Sequence, residues 1–129
     1  FKSLNDRFGH PAGDRVLQDM ARIIKDGIRE VDLAARYGGE EFVILLPDTD
    51  ESGAKCLTET IRKSIERHQW ANQGVTASFG IQTIDNNDIA TLEVESIIEN
   101  CVISADKALY FAKNNGRNQC AHYQNLPKQ

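Results

Sequence analysis

No stretch of this 129-residue chain is apolar for long enough to cross a bilayer; its longest apolar run, Phe42 to Leu46, falls far short of the ~20 residues a spanning helix needs. No signal-peptide pattern is visible either. Cysteine is sparse: Cys56, Cys101 and Cys120 are odd in number, irregularly spaced and without a C-x-x-C pair. That excludes a disulfide framework or zinc-finger spacing and points to reduced thiols in a cytoplasmic protein. No repeat, low-complexity tract or Pro/Gly/Ser linker interrupts residues 1–129, which reads as one domain. Aromatic residues are few, at 7%, and are not interleaved with basic clusters; 15 Lys and Arg face 19 Asp and Glu, for a net charge of −4. A partner that is a nucleic acid polymer is therefore disfavoured. What is present is ordinary for a globular domain: 40% hydrophobic and 26% charged residues. A chain this long buries a little under ~70% of its unfolded surface and needs no staples.

The pattern of apolar residues predicts an α+β order. A first long helix should open near Pro11, which suits a position whose N–H is not needed. Val16, Leu17, Met20, Ile23, Ile24 and Ile28 form its inward stripe, and Gly27 weakens its last turn. Val31–Tyr37 and Glu41–Leu46 flank Gly38-Gly39 and read as a hairpin with a tight two-residue turn. A second helix is expected over Glu51 to Arg67, burying Ala54, Leu57, Ile61 and Ile65. A strand over Val75–Ile84, a polar turn at Asp85–Asp88, and a third helix over Glu95 to Asn114 follow, with Ile98, Val102, Ala105, Leu109 and Ala112 inward. Gly116 is placed to close that helix, and a short strand over Gln119–Tyr123 ends the domain. The chain begins without Met, in what reads as the end of a strand, as a piece of a longer protein would.

The hairpin tip, Gly38-Gly39-Glu40-Glu41, carries the first chemical signal. Two glycines without side chains let a ligand approach the backbone, and a carboxylate at a rigid tip is a hard oxygen ligand suited to Mg²⁺. Successive strand residues point to opposite faces, so Glu40 and Glu41 should not serve one site on the sheet face together. On its own, such a tip is more often a solvated hairpin than a site.

Three blocks change that reading. Phe1 to Asp14 matches F-K-x-x-N-D-x-x-G-H-x-x-G-D, Arg36 to Phe42 matches R-[YF]-G-G-[DE]-E-F, and Ala105 to Asn118 matches A-D-x-A-L-Y-x-A-K-x-x-G-R-N. In this order and spacing they resemble the GGDEF-domain diguanylate cyclases, over essentially the whole chain before Tyr123. The resemblance implies a ferredoxin-like sheet similar to the adenylyl-cyclase palm, with a hairpin-borne active site and packed helices. It implies condensation of two GTP into cyclic di-GMP with release of two pyrophosphates. The cofactor would be Mg²⁺ or Mn²⁺. Two domains would have to face each other as a homodimer, brought together by an upstream sensor or receiver domain in the parent protein, where attachment to a membrane sensor is also open to the domain.

Residue by residue, the resemblance assigns Glu40 to the metal and to activation of the ribose 3′-hydroxyl, with Glu41 in support. Gly38 and Gly39 would leave room for the nucleotide. Asn5 and Asp14 would read guanine, whose N1–H and amino group a carboxylate can accept together; an unpaired buried acceptor costs ~1–3 kcal/mol, enough to favour GTP over ATP. Without the blocks, Asp14 would read as a first-turn acid and Asn5 as a cap. Lys113 and Arg117 would hold the triphosphate, with backbone N–H groups of Phe1 and Lys2. Asp6 and His10 read as structural residues that orient the turn before the helix, and Asp106 and Tyr110 as packing or hydrogen-bonding residues.

Arg29-Glu30-Val31-Asp32 is an R-x-x-D five residues before Gly38, where the resemblance places an inhibitory site for cyclic di-GMP, rather than a weak exposed ion pair. The place of a further arginine holds Thr60, so Lys55 or Arg62 would have to substitute. The family's first metal-ligand Asp would lie four residues before Phe1, on a first strand that, with its preceding helix, is expected to be missing. The 129 residues alone are therefore expected to be inactive or nearly so. The alternatives are a non-catalytic module sensing GTP or cyclic di-GMP, which the intact Gly38–Phe42 motif argues against, and a dimerising scaffold, which leaves the nucleotide blocks unexplained.

Overall fold

The computed structural model describes residues 2–85 and 93–127. Helix α1 spans Lys2–Phe8, so the strand end expected at the start of the chain is helical from Lys2 onward; Phe1 lies outside the described residues. A single residue, Gly9, separates it from α2, His10–Gly27, with Pro11 in its first turn as expected. The two helices touch closely, because the absent side chain of Gly13 makes room for Asn5.

Strands β1 (Leu33–Gly38) and β2 (Glu41–Leu45) form the antiparallel hairpin. Helix α3 then runs over Glu51–Arg67, the predicted bounds, capped by Asp50, whose carboxylate accepts from the Gly53 N–H at 2.8 Å. Strand β3 is only Phe79–Ile81, shorter than the expected Val75–Ile84. Its ladder partner β4, Cys120–His122, is itself three residues long, and the flanking residues have no strand to pair with. Helix α4, Val94–Asn114, links β3 to β4 and lets them run parallel, which a tight turn does not allow. A single 3₁₀ turn, Tyr123–Asn125, follows. The expected turn at Asp85–Asp88 lies outside the described residues beyond Asp85.

The class is α+β, with the strands in two hydrogen-bonded pairs, β1–β2 and β3–β4. Both pairs rest on the same helical layer. Ile24 of α2 and Ile61 and Ile65 of α3 form a buried cluster, against which pack Phe42 and Ile44 of β2 and Ala77 and Phe79 at β3. A second cluster, Ala108, Ala112 and Ala121, joins α4 to β4 and the C-terminal turn. Helix α4 buries the expected face only in its second half, where Ala112 is buried and Ala105 and Leu109 are half-buried. Ile98 and Val102 are exposed, at 55% and 38%, while Ile97, Ala108 and Ala112 point inward. Small alanines face the strands because the helix comes very close there: a Cβ on Gly80 would lie 2.0 Å from the Ala105 carbonyl oxygen. Gly27, read from the sequence as a weakness, has a packing reason too, since a Cβ would meet Ile61 at 2.6 Å. No helix among the described residues is long and apolar enough to cross a membrane.

Candidate functional site

The hairpin tip follows from one register shift. Arg36 pairs with Phe42 but Gly38 pairs with Glu41, so Tyr37 is an extra residue and the two-residue turn is Gly39-Glu40. This corrects the expected Gly38-Gly39 turn. Gly39 has φ 46, a conformation L side chains resist, and its carbonyl accepts from Arg36 Nε at 2.8 Å. Glu40 is thus a turn residue and Glu41 the first residue of β2, so the strand-pleat restriction expected between them does not apply to Glu40. Both are exposed and neither side chain forms a hydrogen bond or ion pair among the described residues. A Cβ on Gly38 or Gly39 would meet nothing within 4 Å.

The acidic residues do not form a closed metal cage: among the described residues, no three His, Cys, Asp or Glu side chains converge. The tip does fit the way Mg²⁺ is held beside nucleotides, by one or two carboxylates with water and phosphate oxygens filling the rest of its shell.

Asn5 and Asp14 sit on either side of the α1–α2 contact. The Asn5 side-chain oxygen is buried and accepts no hydrogen bond; a Cβ on Gly13 would lie 1.8 Å from it. It is an unmet acceptor of the kind a ligand donor relieves. Asp14 is exposed, unpaired among the described residues, and lines a cavity of about 720 Å³ between α2 and β1 together with Leu17, Arg36 and Phe42. Asp32 lines the same cavity, whereas Asn5, Gly38–Glu41, Lys113 and Arg117 do not.

Lys113 and Arg117 flank the end of α4. Gly116, with φ 111, closes the helix as expected, and the Arg117 N–H returns to the Ala112 carbonyl at 2.9 Å. Arg117 and Asn118 continue in the left-handed region, with φ 59 and 48. Of the backbone groups expected to help hold phosphate, Lys2 lies in the first turn of α1 and Phe1 is outside the described residues. Tyr110 and Asp106, expected to pack or hydrogen-bond, are exposed, Tyr110 at 72%.

Arg29 and Asp32 form a two-point ion pair: Nη2 to Oδ1 at 2.7 Å and Nε to Oδ2 at 2.9 Å. The Asp32 side chain is buried, and the hydrogen bonds from Arg29 hold its carboxyl below the usual range. Arg29 Nη2 also reaches the Pro47 carbonyl and Thr49 Oγ1, at 3.2 and 2.6 Å. The pair is therefore more than an exposed surface bridge; it ties the entry to β1 to the segment after β2. Thr60 Oγ1 donates to the Cys56 carbonyl at 2.9 Å, and the residues expected to replace a missing arginine are engaged elsewhere. Lys55 pairs with Glu51, and Arg62 with Glu59 and Glu66. The Arg62 network, which reaches Asn118, was not singled out from the sequence. Its signal was there, in glutamates three residues before and four after Arg62 on one helix face.

The family model described as "Diguanylate cyclase, GGDEF domain" matches residues 1–119. The chain is 46% identical to diguanylate cyclase A of Treponema denticola, over 99% of this chain and 34% of that protein. It is 39% identical to diguanylate cyclase DgcP of Pseudomonas aeruginosa, over 92% of this chain and 17% of that one. It thus spans about a third or less of these relatives. Among solved structures, the active GGEEF domain of a diguanylate cyclase from Vibrio cholerae superposes with a TM-score of 0.82 at 34% identity, covering 97% of this chain and 77% of that one. The GGDEF domain of DgcB from Caulobacter crescentus, in complex with c-di-GMP, gives 0.78 at 28% identity, covering 95% and 71%.

Proposed function

This chain belongs to the GGDEF family of diguanylate cyclase domains, and from that premise we propose that it condenses two GTP into cyclic di-GMP, releasing two pyrophosphates. The observation that carries the reading is the hairpin tip: two glycines whose side-chain space is empty, beside two carboxylates with no partner among the described residues. Nothing in the fold itself uses that combination.

A divalent cation, Mg²⁺ or Mn²⁺, supplies charge stabilisation at the reacting phosphate when bound. Glu40, in the turn, holds it; Glu41 supports Glu40 from the first position of β2. Gly38 and Gly39 admit the nucleotide to the backbone. Asn5 and Asp14 take the guanine edge, and the cavity beside Asp14 is of a size that accepts a nucleoside. Lys113 and Arg117, with the backbone N–H groups of Phe1 and Lys2, hold the triphosphate. One domain holds one GTP, so two copies must face each other for the 3′-hydroxyl of one nucleotide to reach the α-phosphorus of the other. An upstream domain of the longer protein brings them together. Cyclic di-GMP inhibits at Arg29 and Asp32, and to bind there it must draw Arg29 from its present partners.

The test is production of cyclic di-GMP from GTP and Mg²⁺ by the longer protein that carries this domain. Glu40→Gln removes the charge without changing shape and should lower turnover by at least about a hundredfold, on the scale of lost electrostatic stabilisation. A wild-type protein that is folded and dimeric yet makes no product would overturn the enzymatic reading and favour a sensing module.

A further inference from the structure

Arg62 sits in the middle of α3 with its side chain only 12% exposed, and every part of its guanidinium is engaged. Nε and Nη2 grip Glu59, at 3.0 and 2.6 Å. Nη1 reaches Glu66 Oε2 at 3.4 Å and, in the turn after α4, the Asn118 side-chain oxygen at 2.7 Å. Asn118 answers by donating its amide to the same Glu66 carboxylate. The result is a closed ring of Arg62, Glu66 and Asn118 that fastens α3 to the turn after α4.

That turn is the most unusual backbone in the described chain. Gly116, Arg117 and Asn118 all have positive φ, in sequence. Glycine takes that conformation freely and asparagine tolerates it, but arginine is held there against its preference. Such residues persist only when their surroundings fix them. Arg117 makes no side-chain hydrogen bond or ion pair among the described residues, and its own anchor is a backbone bond to Ala112. The side-chain anchor lies one residue on, at Asn118, which also donates its N–H to Ser78 Oγ at 3.2 Å.

We infer that Arg62 is a positioning residue for the polyphosphate of the nucleotide: through Asn118 it holds Arg117 in the left-handed conformation that aims its guanidinium off the end of α4. The inference rests on Arg117 being a phosphate ligand, as proposed above. Arg62 itself touches no substrate. The planar fork is what the role requires, because one group must span two glutamates and an amide at fixed angles, which an ammonium does not do.

The test is calorimetric titration of the protein with GTP and Mg²⁺, with guanosine followed by NMR titration as the probe that lacks phosphates. Asn118→Gly is the clean variant. It keeps a residue at ease with positive φ, leaves the Arg62–Glu59 pair in place, and deletes only the link. Arg117→Ala should weaken GTP roughly tenfold or more, the range a charge-assisted hydrogen bond carries. Arg62→Ala and Asn118→Gly should weaken GTP by a similar factor and leave guanosine unchanged. Added to Arg117→Ala, Asn118→Gly should cost nothing further, since it acts through the side chain already removed. If Arg117→Ala weakens GTP while Asn118→Gly does not, the positioning role is overturned and the phosphate role stands. A loss of guanosine binding in step with GTP in Asn118→Gly also overturns it, in favour of a general structural role. If Arg117→Ala leaves GTP binding intact, the phosphate reading falls and the inference with it.

Discussion

Gly38 and Gly80 are both strand glycines, and their surroundings are opposite. At Gly80 the space a side chain would take is filled by the chain itself: a Cβ would lie 2.0 Å from the Ala105 carbonyl oxygen and 2.3 Å from the Leu109 nitrogen. At Gly38 it would meet nothing. The charged groups divide in the same way. Arg29, Asp32 and Arg62 are engaged in the fold, while Glu40, Glu41, Asp14, Lys113 and Arg117 have no side-chain partner among the described residues. Glycine and charge thus serve packing in one region and are left open to the outside in the other. The charged residues the motif blocks assign to GTP all fall in the open set, which they share with other surface charges such as Arg15, Lys25 and Lys107, whereas the Asn5 side-chain oxygen is buried.

The comparison breaks hardest at Gly80. Gly80→Ala forces β3 and α4 apart, or distorts both, because the colliding atoms are backbone and cannot rotate away. It should cost about 3 kcal/mol, in the upper range for overpacking, and lower the melting temperature by something on the order of 10 °C. Thermal denaturation followed by circular dichroism measures it. An unchanged melting temperature would mean the helix–strand approach is not set by this glycine.

Close approaches of this kind are tertiary and leave no local pattern in the sequence. The long amphipathic helices were legible because their period is local: α3 has the expected bounds and buries Ala54, Ile61 and Ile65. The hairpin was legible from its glycines, but its turn was placed one residue early, because a bulge at Tyr37 depends on pairing rather than on composition. The inward face of α4 departs from the sequence pattern only at Ile98 and Val102, which are exposed. Near its start Ile97 rather than Ile98 is buried, while farther along β3 comes so close to Ala105 and Leu109 at Gly80 that Ala108 and Ala112 are the residues buried there. The motif blocks mark the residues proposed to hold the nucleotide as a set. They gave no hint that Asn118, a motif residue, is held by Arg62, which lies 56 positions away.

A smaller effect separates the inward charges from the outward ones. His122 is 2% exposed; its Nδ1 accepts from the Gln124 N–H at 3.1 Å, so the neutral ring carries its proton on Nε2 and donates to Thr83 Oγ1 at 2.8 Å. Burial, the leading cause, lowers its pKa; Glu51 opposes the shift and Lys55 adds to it. The folded state therefore favours the neutral ring, and the stability this confers is complete above the ordinary histidine value and is lost as pH falls through it towards the folded value. Asp32 behaves likewise at lower pH, since hydrogen bonds from Arg29 lower its pKa and its contribution disappears as the solution is acidified through the usual carboxylate range and below. Melting temperature should decline in two stages on acidification from pH 7, and His122→Gln should flatten the first. A wild-type profile with no decline between pH 7 and pH 5 would show that the ring is not held neutral.

The smallest change in stability is expected at Gly38, and it is the one that tests the meaning of the open space. Gly38 lies outside the left-handed region and an alanine there meets no atom of the chain, so Gly38→Ala should leave the melting temperature unchanged or slightly raised by the stiffer unfolded chain. If the space is kept for a nucleotide, that same methyl group displaces the ligand from the backbone. Misplacement by about an ångström costs on the order of a hundredfold in rate. Cyclic di-GMP formation by the longer protein should therefore fall by about that factor while its folding does not change. Full activity in Gly38→Ala would mean the emptiness beside the tip is simply exposed surface, and the parallel with Gly80 would teach nothing about ligand approach.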